Sequence, residues 1–140
     1  MYNPYTSYQQ NQVLEAAPED ILLQLVQGAL IKVKQAQELV NKGERIRARE
    51  RRLKVYEIIS YLDGTLDREN GGEIAEELEA LYAYLLREIT ASTREDDFDR
   101  LKDVEEVLTT LYEGWKDAVI EYKEGKKAEV GAEKKVAHVG

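Results

Sequence analysis

Between Leu62 and Ala91 the chain stops one helix and starts another with little more than a glycine pair between them. The stretch reads Leu62-Asp63-Gly64-Thr65-Leu66-Asp67-Arg68-Glu69-Asn70-Gly71-Gly72-Glu73-Ile74-Ala75, and continues through Leu78, Leu81, Tyr82, Leu85 and Ile89. Asn70-Gly71-Gly72 is a strong stop, because glycine accepts the left-handed conformation that ends a helix. Beyond it, apolar residues return at three- and four-residue steps, the period of a helix face. On a wheel of about 100° per residue, Ile74, Leu78, Leu81, Leu85 and Ile89 form one line. Ala75, Tyr82 and Leu86 widen it to an arc of roughly 140°. That is more apolar surface than one neighbouring helix normally covers.

The same period organises the rest of the chain. Residues 1–17 are polar, carry Tyr2, Tyr5 and Tyr8, and predict a mobile arm with one short helical turn near Asn11 to Ala16. Pro18 suits a first helical turn, whose N–H groups have no intrahelical partner. Glu19 and Asp20 place negative charge at the positive end of the helix dipole. Leu22, Leu25, Ala29, Val33, Ala36 and Val40 then form a stripe that ends at Asn41 to Gly43. Gly28 in mid-helix costs about 1 kcal/mol against Ala, and the expected gain is close approach of another backbone. A second helix is expected from Glu44 to Asp67, with Val55, Ile58, Ile59, Leu62 and Leu66 as its stripe. The third is expected from Glu73 to Ser92. The fourth is expected from Asp96 to Glu124, with Asp96 and Asp97 as candidate caps and Trp115 as a core anchor. Residues 125–140, rich in Lys, Glu and Ala, predict a disordered, flexible tail. No window alternates with period two, and the loops are short. The expected fold is therefore all-α: an antiparallel up-down four-helix bundle over residues 18–124, with an N-terminal arm and a C-terminal tail.

A chain of 140 residues fits one domain, and its 43% hydrophobic content with two prolines suits a helical core rather than disorder. The formal charge of -8 argues against nucleic acid as the main partner, and the lack of cysteine excludes a disulfide framework. The N-terminus lacks a signal-peptide layout and no apolar run approaches a membrane span, so the cytoplasm is the expected location. Catalytic candidates are few. His138 is the one histidine, in the expected tail. Glu73, Glu76, Glu77 and Glu79 lack the Glu-x-x-His partners of a di-metal bundle and read as a solvated face. Asp96, Asp97 and Asp99 lack the spacing of a calcium loop. No enzyme, metal or cofactor is expected. The basic run Lys42, Arg45, Arg47, Arg49, Arg51, Arg52 and Lys54 leaves a nucleic-acid-binding regulator as one alternative. Its simpler reading is a wet face paired with Glu44, Glu50 and acids of neighbouring helices. The spare stripe leaves a self-associating structural bundle as another, and a groove for a partner helix as the third.

Four segments, in order, carry a resemblance over about Tyr8 to Tyr122. They are Tyr8-Gln9-Gln10-Asn11-Gln12-Val13 followed by Ala17-Pro18-Glu19; Ile21-Leu22-Leu23 leading to Gly28-Ala29; Leu66 to Ala75 leading to Leu81-Tyr82; and Val104 to Trp115. Together they resemble the flagellin-specific secretion chaperones, the FliS family. Departures are Ala17 where the family usually has a capping Ser, Val26-Gln27 for an aromatic and an acid, and Ala91-Ser92 for Ala-Asn. Loss of the cap costs helix one about 1 kcal/mol.

The resemblance implies a cytoplasmic monomer that binds the disordered C-terminal segment of flagellin one to one. In doing so it would prevent premature polymerisation and present the subunit to the flagellar export gate, with no membrane insertion. Ile58, Leu62, Leu66, Ile74, Leu78, Leu81, Tyr82 and Leu85 are the expected groove or its floor. Tyr8, Asn11 and Val13 are the expected lid or export-gate docking element. Ordering a bound segment costs free energy, so such a site needs a long apolar track.

Overall fold

The computed structural model describes Pro18–Val139. Its elements are α1 (Pro18–Asn41), α2 (Arg45–Thr65), α3 (Gly72–Glu95), a 3-10 turn (Phe98–Arg100) and α4 (Leu101–Val139). No strand occurs among the described residues. Each helix packs on its chain neighbours and α4 returns against α1, which closes the expected four-helix ring. The seam between α1 and α2 is the most extensive and that between α3 and α4 the thinnest. The expectations for Tyr8, Asn11 and Val13 fall outside the described residues.

Local chemistry sets the corners. α1 ends at Gly43, whose φ of 79° only glycine takes without strain. There the Glu44 N–H donates to the Leu39 carbonyl at 2.8 Å and the Gly43 N–H to that of Val40 at 2.9 Å, which satisfies two end carbonyls. Between α2 and α3, the Asp67 carboxylate accepts from the Asn70 N–H at 3.1 Å and from Asn70 Nδ2 at 3.0 Å. These bonds from Asn70 hold the Asp67 carboxyl below its ordinary pKa. The two glycines that follow serve different ends. A Cβ at Gly71 would stand 2.5 Å from Ala75 Cβ and 2.7 Å from the Asp67 carbonyl oxygen, whereas Gly72 supplies a φ of 56°.

The core is one cluster fed by all four helices. Val26, Ala29, Val33 and Ala36 come from α1; Val55, Ile59 and Leu62 from α2; Tyr82, Leu85 and Ile89 from α3; Leu101, Val104 and Leu108 from α4. Phe98 of the 3-10 turn plugs one end.

Three expectations need correction. Among the described residues Gly28 meets no second backbone: a Cβ there would meet Ile58 Cδ1 alone, at an ordinary 3.9 Å. Asp96 does not start α4. It ends α3 in the left-handed region at φ 51°, and the Asp97 N–H donates to the Ser92 carbonyl at 2.9 Å. The cap of the following turn is Asp97, whose carboxylate accepts from the Asp99 N–H at 3.0 Å. Finally, α4 does not stop near Glu124 but runs on to Val139. Lys, Glu and Ala are strong helix formers, so the segment holds helical backbone without an apolar stripe of its own.

Candidate functional site

The sealed part of the core does not reach the whole length of α3 and α4. On α3 the buried line runs through Tyr82, Leu85 and Ile89, and on α4 through Leu101, Val104 and Leu108. Both apolar stripes continue past that point only partly covered, with Ala75 still buried. Leu81 and Leu78 are half-buried and Ile74 is 65% exposed. Leu111, Tyr112 and Trp115 are half-buried on α4.

The result is an open apolar groove of about 710 Å³. Its α3 wall is Ile74, Glu77, Leu78 and Leu81; its α4 wall is Glu106, Val107, Thr110, Leu111, Gly114, Trp115 and Ala118. Among the described residues nothing stands within 4 Å of where a Gly114 Cβ would be, so this turn of α4 presents backbone to the groove.

Of the residues expected from sequence, Ile74, Leu78 and Leu81 line this groove. Leu62, Tyr82 and Leu85 are sealed in the core. Burial, followed by the nearby Asp63 carboxylate, raises the pKa of the Tyr82 phenol. Ile58 and Leu66 are part-buried against the core and are absent from the groove walls. The sequence reading missed most of the α4 wall. Trp115, expected as a core anchor, does pack half-buried against the core, and from there it also lines that wall. A signal exists in the sequence: at about 100° per residue Val107 and Ala118 fall on one side of the line through Val104, Leu108, Leu111 and Trp115, the side that faces the groove.

The opposite end of α3 is shut by a polar clasp. Arg52 is 4% exposed and donates to the Ser92 carbonyl at 3.1 Å and to Ser92 Oγ at 3.3 Å. Its guanidinium lies 4.4 Å from the centre of the Phe98 ring, with that of Arg45 at 5.3 Å. Burial lowers the pKa of Arg52, opposed by the Asp96 charge. Asp96 takes a 3.0 Å ion pair from each of Arg45 and Arg49, whose hydrogen bonds pull its carboxyl down to about 2.

The basic run is thus largely paired with acids of the same chain, at the surface except for Arg52. Arg47 pairs with Glu44, Lys54 with Glu57 and Lys42 with Glu38, while three arginines converge on Asp96. A smaller cleft of about 570 Å³ beside the clasp is rimmed by Arg49, Arg94, Thr90 and Thr93 over Leu53 and Tyr56. Among the described residues, no group of three His, Cys, Asp or Glu is placed to hold a metal ion. No described helix is long and apolar enough to cross a membrane.

Comparisons with known proteins point one way. A family model for the flagellar protein FliS matches residues 1–122. The flagellar secretion chaperone FliS of Bacillus subtilis is 32% identical over 117 residues, 84% of this chain and 86% of the relative. That of Vibrio cholerae is 31% identical over 121 residues, 86% and 89% of the two chains. That of Salmonella typhimurium is 31% identical over 105 residues, 74% and 78%.

Proposed function

This chain belongs to the FliS family of flagellar proteins, and from that premise we propose that it is a secretion chaperone whose α3–α4 groove holds a client segment. The client is the C-terminal segment of flagellin, bound one to one by a monomer in the cytoplasm. Occupying that segment prevents premature polymerisation and keeps the subunit fit for delivery to the flagellar export gate. The chaperone works without catalysis, cofactor or metal.

The observation that carries this reading is the open apolar groove. Exposed apolar surface of this extent is costly to leave in water and marks an interaction site. Ile74, Leu78 and Leu81 face Val107, Leu111 and Trp115 across an open gap. An amphipathic helix laid between them buries its own stripe against both walls. Leu62, Tyr82 and Leu85 act beneath, holding α3 in place rather than touching the client. Tyr8, Asn11 and Val13 serve as the lid or the export-gate contact. A nucleic-acid role finds less support, since most of the basic run is already paired with acids of this chain.

Calorimetric titration with the C-terminal segment of the flagellin from the same organism tests the proposal. Binding is expected at about 10 µM or tighter, and Leu78→Asp should weaken it at least about thirtyfold with the helical signal unchanged. A folded protein that takes up no segment at about 50 µM would sink the chaperone reading.

A further inference from the structure

The groove is greasy at its base and acidic along its edges. Glu77 of α3 and Glu106 of α4 line it directly. The acid extends beyond these two. On α4, Asp103, Glu106, Glu113 and Asp117 recur at steps of three, seven and four, so they lie along one edge of the helix, on the same side as groove-lining Thr110. On α3, Glu73 stands one turn before Glu77. All six are exposed, and none makes an ion pair with another described residue. Glu73–Glu77 and Glu113–Asp117 are like charges four residues apart, a spacing that weakens an isolated helix. Among the described residues three other acids of α3 are matched, Glu79 with Arg68, and Glu88 and Glu95 with Arg100, while Glu76 is not.

The geometry points to an occupant whose apolar stripe is shouldered on both sides by Lys or Arg: a basic amphipathic helix of about three turns. The length follows from the α4 wall, since Val107 to Ala118 spans about 16 Å of helix. The charge follows from the unpaired carboxylates on both walls, which a cationic shoulder meets as the apolar stripe goes down between them. The chain's own first 17 residues suit this poorly, because they contain Glu15 and no Lys or Arg. A foreign segment is therefore the better occupant. This inference rests on the groove being the client site and adds what selects the client there. Apolar burial supplies affinity, and the acidic edges set orientation and reject acidic stripes.

Three synthetic peptides with one shared apolar stripe, their shoulder positions all Lys, all Gln or all Glu, separate the two ideas. Each is titrated into the full chain at low and at high salt. The Lys peptide should bind about tenfold tighter than the Gln peptide at about 50 mM salt, with the gap closing at about 0.5 M. The Glu peptide should be the weakest. In the double variant Glu77→Gln/Glu106→Gln the ratio of Lys-peptide to Gln-peptide affinity should fall severalfold. Those two positions are exposed, so helical content should match the parent. Equal binding of Lys and Gln peptides at low salt, or a preference unmoved in the double variant, overturns the charge inference and leaves the client groove standing. Failure of all three peptides and of the flagellin segment overturns both. A concentration-dependent dimer that excludes the peptides makes a second copy the occupant and overturns the inference too.

Discussion

The two halves of α3 carry one continuous apolar stripe and meet opposite fates. From Tyr82 onward, Tyr82, Leu85, Ile89 and Ser92 are buried; before it Ala75 is buried as well, but Ile74, Leu78 and Leu81 look into an open groove. Composition does not separate them. What differs is the facing structure. Phe98, Arg52 and Asp96 draw α2, the 3-10 turn and the end of α3 together. Among the described residues no such clasp spans α3 and α4 at the glycine end, and the α4 wall opposite thins to Gly114 and Ala118. Stripe width therefore reports apolar surplus, and polar fastening decides where along the helix it stays open.

The sharpest way to break this contrast is to cut one apolar side chain from each half. Leu85→Ala should cost about 3 kcal/mol in urea unfolding, because a fully buried leucine leaves a cavity its neighbours only partly fill. Ile74→Ala should change stability by about 0.5 kcal/mol or less, being largely exposed already, while weakening client binding. Similar stability losses at both positions would mean that the groove is closed in solution.

How much of this was legible beforehand can be traced residue by residue. Pro18, Gly43 and the Asn70-Gly71-Gly72 stop marked their helix boundaries because they act through local backbone chemistry. The stripes were equally visible, and so was the family resemblance. Periodicity reports which face is apolar and nothing about what covers it. Leu85 and Leu78 share one line and are indistinguishable by it, and Trp115 packs against the core while also facing the groove. The clasp was hidden for another reason: its parts lie about forty residues apart in sequence. One clue was available. Arg52 falls on the inner line with Ala48, Val55 and Ile59, where an unpaired charge is too costly to bury. An arginine in that position requires a partner on another helix.

The clasp itself supplies the next prediction. Arg52→Ala should cost about 2 kcal/mol, since it leaves the Ser92 carbonyl and hydroxyl without their donor and bares the Phe98 face. Arg49→Ala, which removes a half-exposed partner of Asp96, should cost about 1 kcal/mol or less. If the two losses come out equal, the clasp is a surface charge network rather than a buried fastening. The distinction is measurable by the same urea titrations, with client affinity as the control: neither substitution touches the groove walls, so both should leave it near the parent value.

The smallest expected effect is the most specific to the shut end. Arg49 and Arg45 hold the folded-state Asp96 pKa near 2, below the ordinary carboxylate value of 3.8. A carboxyl whose pKa falls on folding binds fewer protons in the native than in the unfolded state. Its contribution to stability is therefore complete above the unfolded value and drains away as pH falls toward 2. Over about pH 5 to 2 the parent should lose stability more steeply than Asp96→Asn, and the two curves should converge at the acid end. Asparagine tolerates the left-handed conformation at this position, so the substitution removes the charge without straining the turn. Ile74→Ala, at the open end, should track the parent slope throughout. Parallel curves for the parent and Asp96→Asn would show that the carboxylate does not fasten α2 to α3, and would leave Arg52 on Phe98 as what closes that half of the bundle.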